Sequence, residues 1–179
     1  MSDRCTLELN FQLRDAPRIV HFLSGGEEVL PTMSEDLLGQ LLYDTFTDIE
    51  EILPKEGDAS RGLDTVMCCR DFDADFGCYD ELMEAADAGL TFFGGHSSGS
   101  EYGEAVFAAY NYEVEWPSAY EGVPVAQMQA DGTIPDGTRE SILNYYRLYI
   151  KANEVMGLAV PKEKPKPRSV TRIIRLDEK

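Results

Sequence analysis

The sequence predicts a single α+β domain, with a mixed or antiparallel sheet and two long amphipathic helices packed on one face. Residues 5–14 alternate between apolar and polar side chains, which is typical of a strand with one solvent-facing side. Residues 33–53 and 138–156 instead repeat apolar side chains at helical spacing. The predicted strands and helices follow no regular βαβ alternation, which favours α+β over α/β.

The remaining elements are bounded by residues that start or stop secondary structure. Thr32 and Glu35 have capping-box spacing at the start of the first long helix, and Pro54 stops it. In chain order we also expect a short helix after Asp15, strands over 65–70, 90–93 and 104–116, a helix over 79–88, and a hairpin partner at 123–129. The predicted core includes Leu9, Phe11, Leu38, Leu42, Phe46, Ile49 and Tyr146.

The C-terminal segment differs in character from the rest. Residues 161–168, PKEKPKPR, contain three prolines and predict a stiff extended connector. Residues 169–176, SVTRIIRL, have the composition of a strand and are too apolar to stay freely solvated. We therefore expect an acidic α+β domain over 1–160 and a connector with a terminal strand over 161–179 that docks on it.

Charge is the least ordinary property of the chain. Lys and Arg total 16 against 33 Asp and Glu, and the net charge is −17. Residues 159–179 contain seven basic and three acidic residues, whereas residues 1–158 contain nine basic and thirty acidic ones, a net charge of −21. Phosphate contacts require Lys and Arg, so direct nucleic-acid binding by this acidic body is disfavoured. Anionic membranes would repel it as well.

The acidic residues suggest a binding function, because several are predicted to share exposed helix faces. Asp44, Asp48 and Glu51 are placed along one predicted helix, and Asp80, Glu84 and Asp87 along another. The candidate binding residues are Asp44, Asp48, Glu51, Asp71, Asp73, Asp75, Asp80, Glu84 and Asp87. They predict a non-enzymatic protein that engages a basic protein surface, such as a nucleic-acid-binding protein, as a nucleic-acid mimic or inhibitor. Solubility alone, or a halophilic host, is the competing explanation.

The chain is small and acidic and has no catalytic signature, and in these respects it resembles the accessory proteins of phages and mobile elements. This resemblance assigns no role to any residue. A small hydrolase is the alternative function, with its site at the Gly94–Gly103 loop. There His96 would act as general base for Ser98 and Glu101 would orient the imidazole. Loops between elements are rich in Gly and Ser in any case.

Metal and cofactor sites have little support in the sequence. Asp71, Asp73 and Asp75 match the first three oxygen ligands of a calcium loop, but Phe76 and Leu82 occupy positions that require Gly and Glu. Of the four cysteines, Cys68 and Cys69 are adjacent and would point to opposite faces of a strand. We expect reduced thiols, no metal and no cofactor. The first twenty residues lack the apolar run of a signal peptide, which predicts a cytoplasmic protein without a membrane span.

Overall fold

The fold is an α+β arrangement built on one antiparallel sheet. The computed structural model describes residues 4–24, 34–53, 64–99, 103–117 and 136–158. The strands are β1 (Arg4–Gln12), β2 (Asp48–Ile52), β3 (Val66–Asp75), β4 (Phe92–His96), β5 (Ala105–Tyr110) and β6 (Glu113–Glu115). The α-helices of the described ranges are α1 (Ala16–Leu23), α2 (Glu35–Thr45), α3 (Tyr79–Asp87) and α4 (Asp136–Val155).

The six strands are ordered β2-β3-β1-β4-β5-β6, and every neighbouring pair is antiparallel. The first strand therefore lies in the middle of the sheet, between β3 and β4. Its alternating sequence predicts one buried face, and Cys5, Leu7, Leu9 and Phe11 are all buried there. A shift of register between Cys5 and Leu7 places a bulge against the end of β3.

The helices lie on both faces of the sheet rather than on one as predicted. The larger core contains the buried side chains of α1, α3 and the end of α2, packed against one face. A second cluster, formed by Ala108 of β5 with Tyr145 and Leu148 of α4, lies on the opposite face. Ala108 and Ala109 are consecutive and both fully buried, because each faces a different layer. β5 is thus covered on both sides.

The predicted helix over 33–53 is the largest error. The helix ends at Thr45, and residues 48–52 form strand β2, paired with β3 from Asp48–Arg70 to Ile52–Val66. Two long amphipathic helices are therefore not observed. Ser34 caps α2, with its side chain accepting a hydrogen bond from the Leu37 amide at 3.3 Å. Thr32, the predicted cap, lies outside the described residues.

The predicted strand over 104–116 is in fact a tight hairpin. β5 and β6 are joined by Asn111 and Tyr112, whose φ angles of 52° and 65° are both positive, as a two-residue type I′ connection requires. The turn reverses the chain, so Val114 pairs with Ala109 and faces the larger core. The predicted partner strand over 123–129 lies outside the described residues.

Most of the predicted core is correct. Leu9, Phe11, Leu42 and Phe46 are buried, and Leu38 and Ile49 are half-buried against them. Tyr146 is wrong, since it is 44% exposed. Successive helical side chains differ by about 100°, and it is Tyr145 that α4 turns inward, where it stacks on Tyr149.

Two predicted elements shift by a few residues, and two are confirmed closely. The strand predicted over 90–93 is β4 (Phe92–His96), and the strand predicted over 65–70 continues to Asp75. The helices α3 and α4 begin and end within two residues of their predicted bounds. The predicted connector and terminal strand over 161–179 lie outside the described residues. Of the helices described, none combines the length and apolar character that a membrane crossing requires.

Candidate functional site: acidic surfaces and a polar groove

Helix α3 presents the predicted row of carboxylates. Asp80, Glu84 and Asp87 are exposed, while Leu82, Ala85 and Ala86 on the opposite side are buried. The spacing of four and then three residues keeps the three carboxylates on one face of the helix. Asp80 also lies in the first turn, where the helix dipole favours negative charge. The side of α3 that faces away from the core is therefore uniformly negative.

The second predicted row, of Asp44, Asp48 and Glu51 on one helix face, does not exist. Asp44 is exposed near the end of α2, but Asp48 and Glu51 belong to β2. Side chains alternate along a strand, so Asp48 and Glu51 point to opposite faces of the sheet. All three carboxylates are exposed, yet they do not form one array.

The three aspartates that match a partial calcium motif lie on a strand rather than in a loop. Asp71 accepts a hydrogen bond from the amide of Asp73 at 3.0 Å and another from Thr47 Oγ1 at 3.5 Å. Asp73 is 3.8 Å from the guanidinium of Arg4, and Asp75 is exposed. Within the described ranges, no cluster of three or more His, Cys, Asp or Glu side chains is arranged to hold a metal ion.

Basic side chains of the acidic body are engaged locally. Arg70 lies between two carboxylates, 2.9 Å from Glu8 and 3.5 Å from Asp48. Arg18 donates to the carbonyl of Ala88 at 2.7 Å. Further pairs are Arg147 with Glu113 and Lys151 with Glu154. These contacts leave the α3 carboxylates without a cation within 4 Å in the part of the chain that the structure describes.

A groove of about 430 Å³ lies on the face of the sheet against which α4 packs. It adjoins the part of that face that α4 covers. Its centre is one row of paired residues, Glu8 on β1, Gly95 on β4 and Val106 on β5. Asn10 and Phe93 form the next row towards α4. The side chains and backbone that line it belong to Thr6, Glu8, Asn10, Phe93, Gly94, Gly95, His96, Ser97, Glu104, Ala105 and Val106.

The absence of a side chain at Gly95 of β4 makes this groove possible. Gly95 places no side chain between Glu8 and Val106, so the sheet has a depression at that position. A Cβ at Gly94 would lie 1.9 Å from the carbonyl oxygen of Glu8, and one at Gly95 would lie 2.7 Å from that of Ala105. Neither position accepts a side chain without displacement of the backbone. The groove is therefore specified by the sequence rather than by chance packing.

Sequence reasoning missed most of the groove. The alternation of residues 5–14 predicts only a solvated strand face, and the composition of Gly94 and Gly95 predicts only part of a loop. A signal was present, because two consecutive glycines directly after an apolar strand indicate close backbone approach. Gly94, Gly95 and His96 in fact belong to β4, and the chain leaves the strand only at Ser97.

His96, the candidate general base, has its ring on the face of the larger core. It pairs with Leu7 and Ala105, both buried on that face. Its Nε2 accepts a hydrogen bond from Trp116 Nε1 at 3.4 Å, and its Nδ1 is 3.0 Å from the carbonyl oxygen of Ser97. An accepting Nε2 and a donating Nδ1 define a neutral imidazole. A role as general base would disturb at least one of these contacts.

The other two candidate catalytic residues are Ser98 and Glu101. Ser98 is exposed just beyond β4. Glu101 lies outside the described residues. The region also packs tightly, because a Cβ at Gly77 would lie 2.8 Å from Cδ2 of His96. The imidazole thus fills the space that Gly77 leaves, next to the ring of Trp116.

The four cysteines all lie within the described residues, and none of them forms a disulfide. Cys68 and Cys69 point to opposite faces of β3, as the adjacent positions predict, and Cys69 belongs to the larger core. Burial raises the pKa of Cys69 and of Cys78 to about 12. Because the thiolate is the nucleophile and the metal ligand, neither side chain is activated near neutral pH.

The chain was compared with family models, with curated proteins and with solved structures, and nothing in any of the three sets matches it.

Proposed function

We propose that this protein is a non-enzymatic binding protein whose acidic surface engages a basic surface of another protein. The observation that carries the proposal is the exposed row of Asp80, Glu84 and Asp87 on a body of net charge −21. Regularly spaced carboxylates present negative charge in the way that a phosphate backbone does. The expected partner is a nucleic-acid-binding protein, and the expected mode is that of a mimic or inhibitor.

The distribution of charge supports a surface for a partner more than simple solubility. Like charges on a folded body repel each other and lower its stability. Two of the basic side chains that the structure describes are engaged elsewhere: Arg70 binds Glu8 and Asp48, and Arg147 binds Glu113. At 1.5 Å rise per residue, the α3 carboxylates are separated by about 6 Å and about 4.5 Å along the helix axis. A basic groove would neutralise all three together.

Affinity capture at two ionic strengths tests the proposal. The chain, immobilised through its N-terminus, is exposed to lysate of its own host at about 50 mM and at about 500 mM salt, because screening weakens exposed charge pairs. We expect basic proteins to be retained at low salt and released at high salt. A purified partner should then lose nucleic acid when the chain is added, since a mimic and nucleic acid compete for one groove.

Paired charge variants locate the surface. The double variant Asp80→Asn, Glu84→Gln removes two charges from the row, and Asp36→Asn, Glu140→Gln removes two exposed charges from α2 and α4. The first should weaken partner binding about tenfold or more, and the second should have little effect. Equal losses in the two variants, or no basic protein retained at low salt, would contradict the proposal.

A small hydrolase-like enzyme is the second candidate, although the groove that the backbone of Gly94–Ser97 borders does not favour it, since the His96 ring lies on the opposite face of the sheet. Its site would use His96 and Ser98 from the Gly94–Gly103 loop. Hydrolysis of a p-nitrophenyl ester should then be abolished by His96→Gln and by Ser98→Ala but retained in His21→Gln. Turnover that survives both substitutions would exclude the loop as a catalytic site.

A further inference from the structure

We infer that the groove centred on Gly95 receives an arginine side chain of the basic partner. The inference rests on the proposed function, and it gives that function a specific anchoring point away from α3. Interfaces of this kind often draw much of their binding energy from one arginine or aromatic side chain in a pocket. The volume of about 430 Å³ falls within the range of ligand-sized sites and leaves ample room for one arginine side chain.

The groove is lined with hydrogen-bond acceptors around a depression. Glu8 and Glu104 contribute carboxylates, and both side chains are exposed at the groove. Arg70 uses Oε1 of Glu8, at 2.9 Å, so the carboxylate still has its second oxygen. Asn10 donates through Nδ2 to the carbonyl of Phe93 at 3.4 Å, so Oδ1 is its accepting atom. Because most of the remaining lining is apolar, such a groove favours an apolar stem that ends in a cation.

The walls select arginine rather than a small cation. Phe93 and Val106 provide apolar surface for the methylene stem of a long side chain. The ring of Phe93 is held edge-on by Tyr149 of α4, with centroids 5.0 Å apart, and offers a fixed aromatic surface for a guanidinium. Arginine also carries five donors in a rigid fork, which suits several acceptors better than the point charge of lysine.

The test is a titration monitored by ¹⁵N–¹H NMR on the full chain. The probe is the peptide acetyl-Gly-Gly-Arg-Gly-Gly-amide, and its control carries citrulline, a neutral near-isostere, in place of arginine. We expect saturable shifts of the Gly95 and Val106 amides with the arginine peptide and none with citrulline. Shifts of equal size with citrulline, or arginine shifts that are largest on α3, would overturn the inference.

Substitutions at the groove sharpen the test. Glu104→Gln removes one carboxylate from the rim, and the matched Glu140→Gln removes one from α4, both at exposed positions. Loss of one charge-assisted contact should weaken binding of the arginine peptide about fivefold in Glu104→Gln, whereas Glu140→Gln should bind it unchanged. Equal affinities in the two variants would overturn the inference.

The two proposals fail in distinguishable ways. If basic proteins are captured at low salt but the Gly95 amide stays unmoved by the arginine peptide, the groove assignment is wrong and the acidic-surface function stands. If no basic protein is captured, the function itself fails, whatever the peptide does.

Discussion

Trp116 donates its indole Nε1–H to Nε2 of His96 at 3.4 Å, and its ring stacks on Phe107 with centroids 4.3 Å apart. Trp116 is the only tryptophan in the sequence, so its emission reports this contact. Because glutamine has no ring to fill this contact, we expect His96→Gln to change the emission spectrum of Trp116.

The chain provides its own control for this measurement, because it contains two histidines. His96→Gln should change the emission of Trp116, whereas His21→Gln should leave it unchanged. His21 lies on α1, where its ring contacts Phe22. An unchanged emission spectrum in His96→Gln would show that Trp116 does not sense the imidazole.

Phe46 is the strongest test of the larger core. It follows the last turn of α2, is 2% exposed, and packs against Phe11 with ring centroids 6.2 Å apart. Phe46→Ala should lower the free energy of unfolding by about 3–5 kcal/mol, because it leaves a cavity in a packed interior. Urea denaturation provides the measurement, with Tyr43→Ala, at a side chain 74% exposed, as the neutral control. A loss below about 1 kcal/mol at Phe46 would refute the packing.

Tyr145 should make the protein less stable in strong alkali. Burial between α4 and the sheet raises the pKa of its phenol from 10.0 to about 12. The folded state therefore holds the proton more tightly than the unfolded state, and this contribution is complete below pH 10 and lost between pH 10 and 12. In Tyr145→Phe, the fall in the free energy of unfolding over that interval should be smaller by on the order of 1–3 kcal/mol.

An exposed tyrosine on α2 gives the comparison. Tyr43 is 74% exposed, and Tyr43→Phe should leave the alkaline loss of stability unchanged. Urea midpoints at pH 9, 10.5 and 11.5 are adequate for both variants, since those values bracket the window in which phenols ionise. Identical pH profiles for Tyr145→Phe and the unsubstituted protein would contradict the assignment.

The C-terminal segment is predicted to dock on the acidic domain. Its apolar side chains favour a contact that removes them from water. Its net charge of +4 is attracted to a body of net charge −21. Removal of residues 161–179 should lower the melting temperature by several degrees, and added salt should reduce that difference because it screens the attraction. An unchanged melting temperature after truncation would show that the segment does not contribute to the fold.

The elements predicted correctly are those whose pattern is local and unambiguous. The alternation in residues 5–14 fits only a strand, and α3 and α4 have clear ends at Gly89 and Gly157, both with positive φ. Residues 46–53 are different. Their apolar side chains fit a helical repeat, but pairing with β3 makes residues 48–52 a strand. That pairing joins segments about twenty residues apart and leaves no trace in local spacing.

The hairpin and the groove were missed for a related reason. A two-residue turn preserves the alternation of apolar side chains, so 104–116 reads as one strand although Asn111 and Tyr112 reverse it. The groove needs three strands side by side: Glu8, Gly95 and Val106 are neighbours only across the sheet. The α3 carboxylates were predictable, since a helix brings residues three and four apart together whatever the rest of the fold does.

The position of β2 at one end of the sheet affects whether copies of this chain can associate with one another. Among the described strands it lies at one end of the sheet, and its sequence DIEEI exposes Asp48, Glu50 and Glu51. An uncovered strand offers its unpaired amides and carbonyls as a template for further sheet growth. Two such strands brought together would align six carboxylates, so self-association by sheet extension is opposed at neutral pH. Added salt screens these charges, so self-association should become easier as the ionic strength rises.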